Sequence, residues 1–182
     1  MPVIPDDKDW TWVLERPCPE CGFDAARVLR AEISRLILDN AGAWREVLAR
    51  SEAALRARPS DDRWSPLEYA CHVRDVFRLY DERLRLMLDE DDPTYANWDQ
   101  DVTAVEARYN DQTPAEVLAQ LAIAARQLAD RFASVGNGGW SRTGTRSDGA
   151  RFTVESFARY LVHDPVHHLF DVTGGRRPQQ TD

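Results

Sequence analysis

Trp64-Ser65-Pro66-Leu67-Glu68-Tyr69-Ala70-Cys71-His72-Val73-Arg74-Asp75 is the stretch on which the fold reading turns. Ser65 stands where a hydroxyl can cap a helix. Pro66 at the first helical position gives up an amide that no helical carbonyl would accept, and Glu68 three residues past the cap can reach back to it. The apolar spacing that follows predicts a helix to about Leu88.

The same punctuation recurs on either side. Thr113-Pro114-Ala115-Glu116 repeats the cap and predicts a helix through about Phe132, and Thr153 predicts a last helix that stops before Gly174-Gly175. From Asp24 onward Leu29, Ile33, Leu36 and Ile37 fall three and four apart, and Trp44, Val47 and Leu48 keep that phase, with Asn40 and Gly42 as points of interruption. Between these segments lie the loop Arg58 to Asp62, an acidic loop from Asp89 to about Asp101, and a Gly-rich loop over 136–150. Strand-type alternation is nowhere sustained. Four or five amphipathic helices in a chain of 182 residues predict an all-α protein, a four-helix bundle over residues 24–182 preceded by an irregular N-terminal arm over 1–23.

Composition narrows the function. With 23 basic against 31 acidic residues the net charge is −8, which argues against a nucleic-acid partner, since a phosphate-binding surface needs clustered positive charge. No apolar run approaches the ~18 residues of a membrane span, and the opening residues lack a basic stretch followed by an apolar one, so a cytoplasmic protein is expected. In that compartment Cys18, Cys21 and Cys71 are expected as thiols or metal ligands. Only Lys8 is lysine, against 22 arginines, a bias that fits a GC-rich genome.

All four histidines fall in two of the predicted helices. At 3.6 residues per turn, Val154, Phe157, Ala158, Leu161 and Val172 share one face of the last helix, with His168 in its middle and Asp164 one turn earlier. His163 and His167 point nearly the opposite way, beside Tyr160 and Phe170. On the helix opened by Ser65, His72 lies beside Tyr69, Val76 and Leu79, with Asp75 one turn on. His72 can therefore meet Asp164 and His168 across a bundle, and two imidazoles with one carboxylate form a divalent-metal set that leaves positions open. The alternative is a pair of core-edge histidines hydrogen-bonded to Asp75 and Asp164.

Residues 64–75, taken with Tyr160 through Val172, resemble the DinB/YfiT-like superfamily. There a tryptophan and a capping residue precede a metal-ligating histidine, which an acid follows three residues later, and the final helix carries two ligands four residues apart. In that register Asp164 and His168 match the two ligand positions of the final helix. The resemblance covers roughly residues 24–175 and implies a four-helix bundle, often a homodimer, holding zinc or nickel. It also implies S-transferase or isomerase chemistry on a small-molecule electrophile with a low-molecular-weight thiol such as mycothiol or bacillithiol. His72, Asp164 and His168 would hold the metal, with Asp75 and Asp171 orienting the histidines. Most members carry three histidines, and some isomerases carry histidine, glutamate, histidine; this chain carries aspartate in the middle place. Sliding the register by one residue would instead make His163 and His167 ligands. A non-catalytic metal-binding stress or interaction protein and a metal-dependent hydrolase are the alternative functions.

Cys18-Pro19-Glu20-Cys21-Gly22 reads as half of a zinc site that His163 and His167, spaced i, i+4, could complete. A redox pair, or an unligated turn beside two interface histidines, is the competing reading. Cys71, turned about 100° from His72, is expected to be a buried small apolar residue. Arg142 and Arg146 are candidate carboxylate clamps, with solvated loop arginines as the alternative, and Trp98-Asp99 could line a pocket mouth.

Overall fold

The computed structural model describes residues 9–175, so the outermost parts of the expected arm and bundle, 1–8 and 176–182, lie outside the described residues. Six helices carry the architecture: α1 (Ile33–Leu48), α2 (Glu52–Arg56), α3 (Pro66–Asp89), α4 (Gln100–Glu106), α5 (Pro114–Ala133) and α6 (Val154–Thr173). The four long ones make the bundle: α5 packs against α1 and α3, and α6 closes against both of these. Among the described residues, no helix is long and apolar enough to cross a membrane.

The capping signals of α3 and α6 work as read. Ser65 Oγ accepts from the Glu68 amide at 3.2 Å while Glu68 Oε2 accepts from the Ser65 amide at 2.8 Å. Thr153 Oγ1 accepts from Ser156 N at 3.1 Å, and Gly174, in the left-handed region with φ 63, ends α6. Thr113 differs: it starts α5 without a side-chain cap, and Pro114 alone marks the boundary.

Three expectations need correction. The first long helix begins at Ile33, nine residues after Asp24, because Asp24 caps a short 3-10 turn at Ala26 N (3.1 Å) and Val28 and Leu29 are extended. Leu29, counted on the apolar face, is exposed. Neither Asn40 nor Gly42 interrupts α1. The acidic and Gly-rich loops are not structureless. They contribute β1 (Thr94–Tyr95) and β2 (Thr143–Arg146) to a small sheet that β3 (Arg151–Thr153), just after the Gly-rich loop, completes, β1 parallel and β3 antiparallel to β2. Gly144 permits this: a Cβ there would stand 2.8 Å from Met87 Cγ and 3.0 Å from a Tyr95 ring carbon, too close to fit.

Asn40 has a structural use that its polarity disguises. It is buried, donates from Nδ2 to Pro165 O at 2.8 Å, and accepts at Oδ1 from the Trp44 indole at 3.1 Å. It thus ties α1 to α6 beside Asp164. Asn40→Leu removes the acceptor of an indole N–H that is wholly buried, so unfolding in urea should show a loss of about 2 kcal/mol. A change below about 0.5 kcal/mol would show that the tie is unimportant.

Candidate metal centre

Across the α3–α6 contact His72, Asp164 and His168 bring one ligand atom each to within 4.8 Å of one another. His72 Nε2 lies 3.3 Å from Asp164 Oδ1, and His168 Nε2 lies 3.7 Å from Asp164 Oδ2. The two imidazoles meet edge to face with ring centres 4.8 Å apart. Helix periodicity sets this up: Asp164 and His168 are one turn apart on α6, and His72 follows Glu68 by one turn on α3. His72 is fully buried, held between Trp64 (ring centres 5.0 Å) and a parallel Trp98 (5.3 Å).

The electrostatics favour a ligand set. Burial opposes the charge of Asp164, yet the imidazoles of His72 and His168 outweigh it and hold the carboxyl below the usual carboxylate range. Burial pulls His72 below the ordinary imidazole value despite the Asp164 charge. At neutral pH the site therefore presents an ionised carboxylate and an uncharged His72 with a lone pair to donate. Asp164 Oδ1 and His72 Nδ1 are buried with no hydrogen-bond partner among the described residues, a cost that a bound cation would relieve at the carboxylate. Donor chemistry and the orphaned oxygen both fit a divalent ion.

The site opens into a cavity of about 180 Å³. Trp10, Trp64, Tyr69 and Tyr160 supply aromatic wall, and Asp62, Gln100 and Asp101 supply polar edge. Trp10 comes from a 3-10 turn (Trp10–Leu14) lying on α6, and Gln100 and Asp101 open α4, which Asp99 caps at Val102 N (2.9 Å). Trp98 and Asp99, expected at a pocket mouth, do not line the cavity: Trp98 stacks on His72 and Asp99 caps α4, while Trp10, Asp62, Gln100, Asp101 and the wall role of Tyr160 escaped the sequence reading. The Asp99 cap was the signal available for α4; nothing local marks Trp10 as a neighbour of α6.

The remaining candidates divide. Asp171 Oδ2 lies 3.6 Å from His168 Nδ1, close to the ring but beyond hydrogen-bond distance, and 3.8 Å from His167 Nε2. Asp75 does not serve His72: it accepts from Arg74 Nε (2.9 Å), Arg78 (3.0 Å) and the Tyr109 hydroxyl (2.7 Å), because buried Arg74 needs an anion beside it. Neither loop arginine lines the cavity. Arg142 donates to the carbonyls of Met87 (2.7 Å) and Glu90 (2.5 Å), closing the C-terminal end of α3, and Arg146 pairs with Asp148 (2.8 Å) over the rings of Phe152 and Tyr160. Cys71 is buried, its thiol 3.7 Å from Tyr109 O and 3.5 Å from Gln112 Oε1. His163 and His167 are buried near Cys18 and Cys21, and their rings also line the cavity beside Asp164 and His168.

The fold has a counterpart among solved structures. YfiT from Bacillus subtilis, described as a probable metal-dependent hydrolase with an unusual four-helix bundle topology, superposes with a TM-score of 0.72 at 15% identity, over 80% of this chain and 86% of that one. No curated protein matches the chain. The family model of the DinB superfamily matches residues 36–170, which take in α3 and α5 whole, most of α1 and α6, and all three residues of the cluster. This chain belongs to the DinB superfamily.

Proposed function

We propose that the protein is a metal-dependent transferase or isomerase that uses a low-molecular-weight thiol, mycothiol being the first candidate, with His72, Asp164 and His168 holding a zinc or nickel ion. The observation that carries the reading is the cluster itself: three convergent donors, one with an orphaned buried oxygen, at the foot of an open cavity. When bound, the ion would supply the positive charge that favours thiolate over thiol at neutral pH. Asp171, beside Nδ1, would orient the His168 ring. No cysteine lines the cavity, so the nucleophilic sulfur must arrive with a cosubstrate. A cavity of about 180 Å³ is below the usual range for a whole ligand, so the reacting end would enter while the rest of the thiol lies across the mouth.

A hydrolytic reading has its own support. Asp62 and Asp101 face the same cavity and could take a proton from water, and YfiT carries that description. One assay separates the two. Metal-loaded protein is mixed with reactive electrophiles and esters, with and without mycothiol, bacillithiol or glutathione, and thiol loss and acid release are followed. Thiol transfer predicts turnover only with added thiol, abolished by chelation and unaffected in Cys71→Ser. Turnover without thiol selects the hydrolase. No acceleration over the free metal ion leaves a non-catalytic metal-binding protein.

A further inference from the structure

We propose a second metal site: Cys18, Cys21, His163 and His167 form a closed tetrahedral zinc centre that fastens the N-terminal segment onto α6. The four residues bring one donor atom each to within 4.8 Å of one another. Zinc bonds of about 2.0 Å to nitrogen and 2.3 Å to sulfur imply tetrahedral edges of about 3.3–3.8 Å, so the donors need to draw in by no more than about 1–1.5 Å. Cys18 Sγ and His167 Nδ1, at 3.6 Å, already span such an edge.

The local backbone is shaped for it. Gly22 N donates to Cys18 O at 2.9 Å and Cys18 N to Phe23 O at 2.8 Å, folding the Cys-Pro-Glu-Cys turn tightly. Gly22 takes φ 72, a conformation that residues with a side chain rarely adopt. On α6 the i, i+4 spacing of His163 and His167 presents both rings to that turn, with centres 5.2 Å apart.

A separate observation points to a ligand. His163 is 4% exposed, and its Nε2 is buried with no hydrogen-bond partner among the described residues. An uncompensated imidazole nitrogen is costly, and a metal bond would satisfy it. The far nitrogen of His167 faces two carboxylates, its Nε2 3.9 Å from Glu20 and 3.8 Å from Asp171. Two sulfur and two nitrogen donors select zinc over harder divalent ions, and four protein ligands leave no position for substrate. The role is therefore structural. Trp10, which packs on His163 and His167 with ring centres 5.5 and 5.1 Å away, is cavity wall, so the zinc would hold one side of the pocket.

Cobalt substitution tests the site and tells it apart from the His72 cluster, which has no sulfur. The full chain, purified without an affinity tag, should contain about one zinc that the His72→Ala/His168→Ala variant retains. Its cobalt form should show thiolate-to-cobalt charge transfer in the near ultraviolet, retained in Cys71→Ser and lost in Cys18→Ser/Cys21→Ser. Should the double serine variant not fold, the wild type suffices: modifying its thiols should release zinc to a chromophoric chelator in step with reaction of Cys18 and Cys21. Absence of the sulfur band from cobalt-loaded wild type, persistence of the band without Cys18 and Cys21, or a Cys18–Cys21 disulfide in the isolated protein would each overturn the proposal.

Discussion

His72→Ala combined with His168→Ala is expected to lower divalent-metal affinity at the α3–α6 cluster by at least about 100-fold and to remove metal-dependent turnover, while the helical circular dichroism stays. The reasoning starts from ligand count. Three donors converge on one point, and removing two leaves a single carboxylate that an exposed aspartate could match. Even a lost carboxylate that merely orients a ligand typically costs 10–100-fold, so two lost ligands cost at least the upper end. The fold should survive, because His168 is only partly buried and His72, though wholly buried, is flanked by Trp64 and Trp98, whose rings can close on the vacancy. The cavity left at position 72 costs about 2 kcal/mol, and His72→Gln, nearer in volume, is the control that isolates ligand loss from packing loss. Asp164→His should keep the metal, since the position accepts a nitrogen donor on the same helical face. Equilibrium dialysis with zinc and nickel reads all three variants, and undiminished binding in the double alanine variant would refute the cluster as the metal centre.

Legibility in the sequence followed the range of the interactions. The fold rests on local signals, namely the Ser65 capping box, the prolines at helix starts and the i, i+3/i+4 spacing, and α3, α5 and α6 fall where these put them. Helical geometry likewise placed His72, Asp164 and His168 on facing sides of two helices, and the structure brings them together. What escaped was set by partners distant in the chain. Arg142 resembled a ligand-binding arginine until the carbonyls at the end of α3 were seen to occupy it. Asp75 stood one helical turn from His72, but the buried guanidinium of Arg74 and the Tyr109 hydroxyl claimed it. The three-strand sheet has strands of two to four residues, too short for alternation to register, and depends on the close approach of Gly144 to Met87. Trp10 reaches the cavity only because the N-terminal segment folds back on α6.

The cap that made α3 readable also carries a large share of the local stability, and Glu68→Ala should lower unfolding free energy by about 3 kcal/mol. Glu68 is 2% exposed and serves two partners. It accepts from the Ser65 amide at 2.8 Å, and it binds Arg58 bidentately through one guanidinium edge, Nε donating to Oε2 at 2.8 Å and Nη2 to Oε1. Losing the Glu68 half of the capping box leaves the buried Ser65 amide without its acceptor, which costs about 1 kcal/mol. Depriving a buried pair of one member costs about 3–5 kcal/mol, but Arg58 keeps 28% of its side chain in water, so about 2 kcal/mol is the share to expect. For a chain of this length the sum is a fall in Tm of about 6–12 °C. Glu52→Ala, which breaks the exposed Glu52–Arg56 pair, should move Tm by about a degree and sets the baseline. Acid provides the second reading. Burial raises the Glu68 carboxyl, but the hydrogen bonds from Arg58 and Ser65 prevail and its folded pKa lies below the ordinary glutamate value. A depressed acid stabilises the fold above its unfolded pKa, and that contribution disappears as pH falls through the folded value. Wild type should therefore lose stability more steeply than Glu68→Gln as pH drops below about 4.3. Parallel pH profiles, or a Tm within a degree of wild type for Glu68→Ala, would show that Arg58 and the Ser65 amide find equivalent partners in water. With the cap intact, His72 one turn further along and Trp64 just before it are held in register, so the residue that starts the helix also fixes the α3 side of the metal cluster.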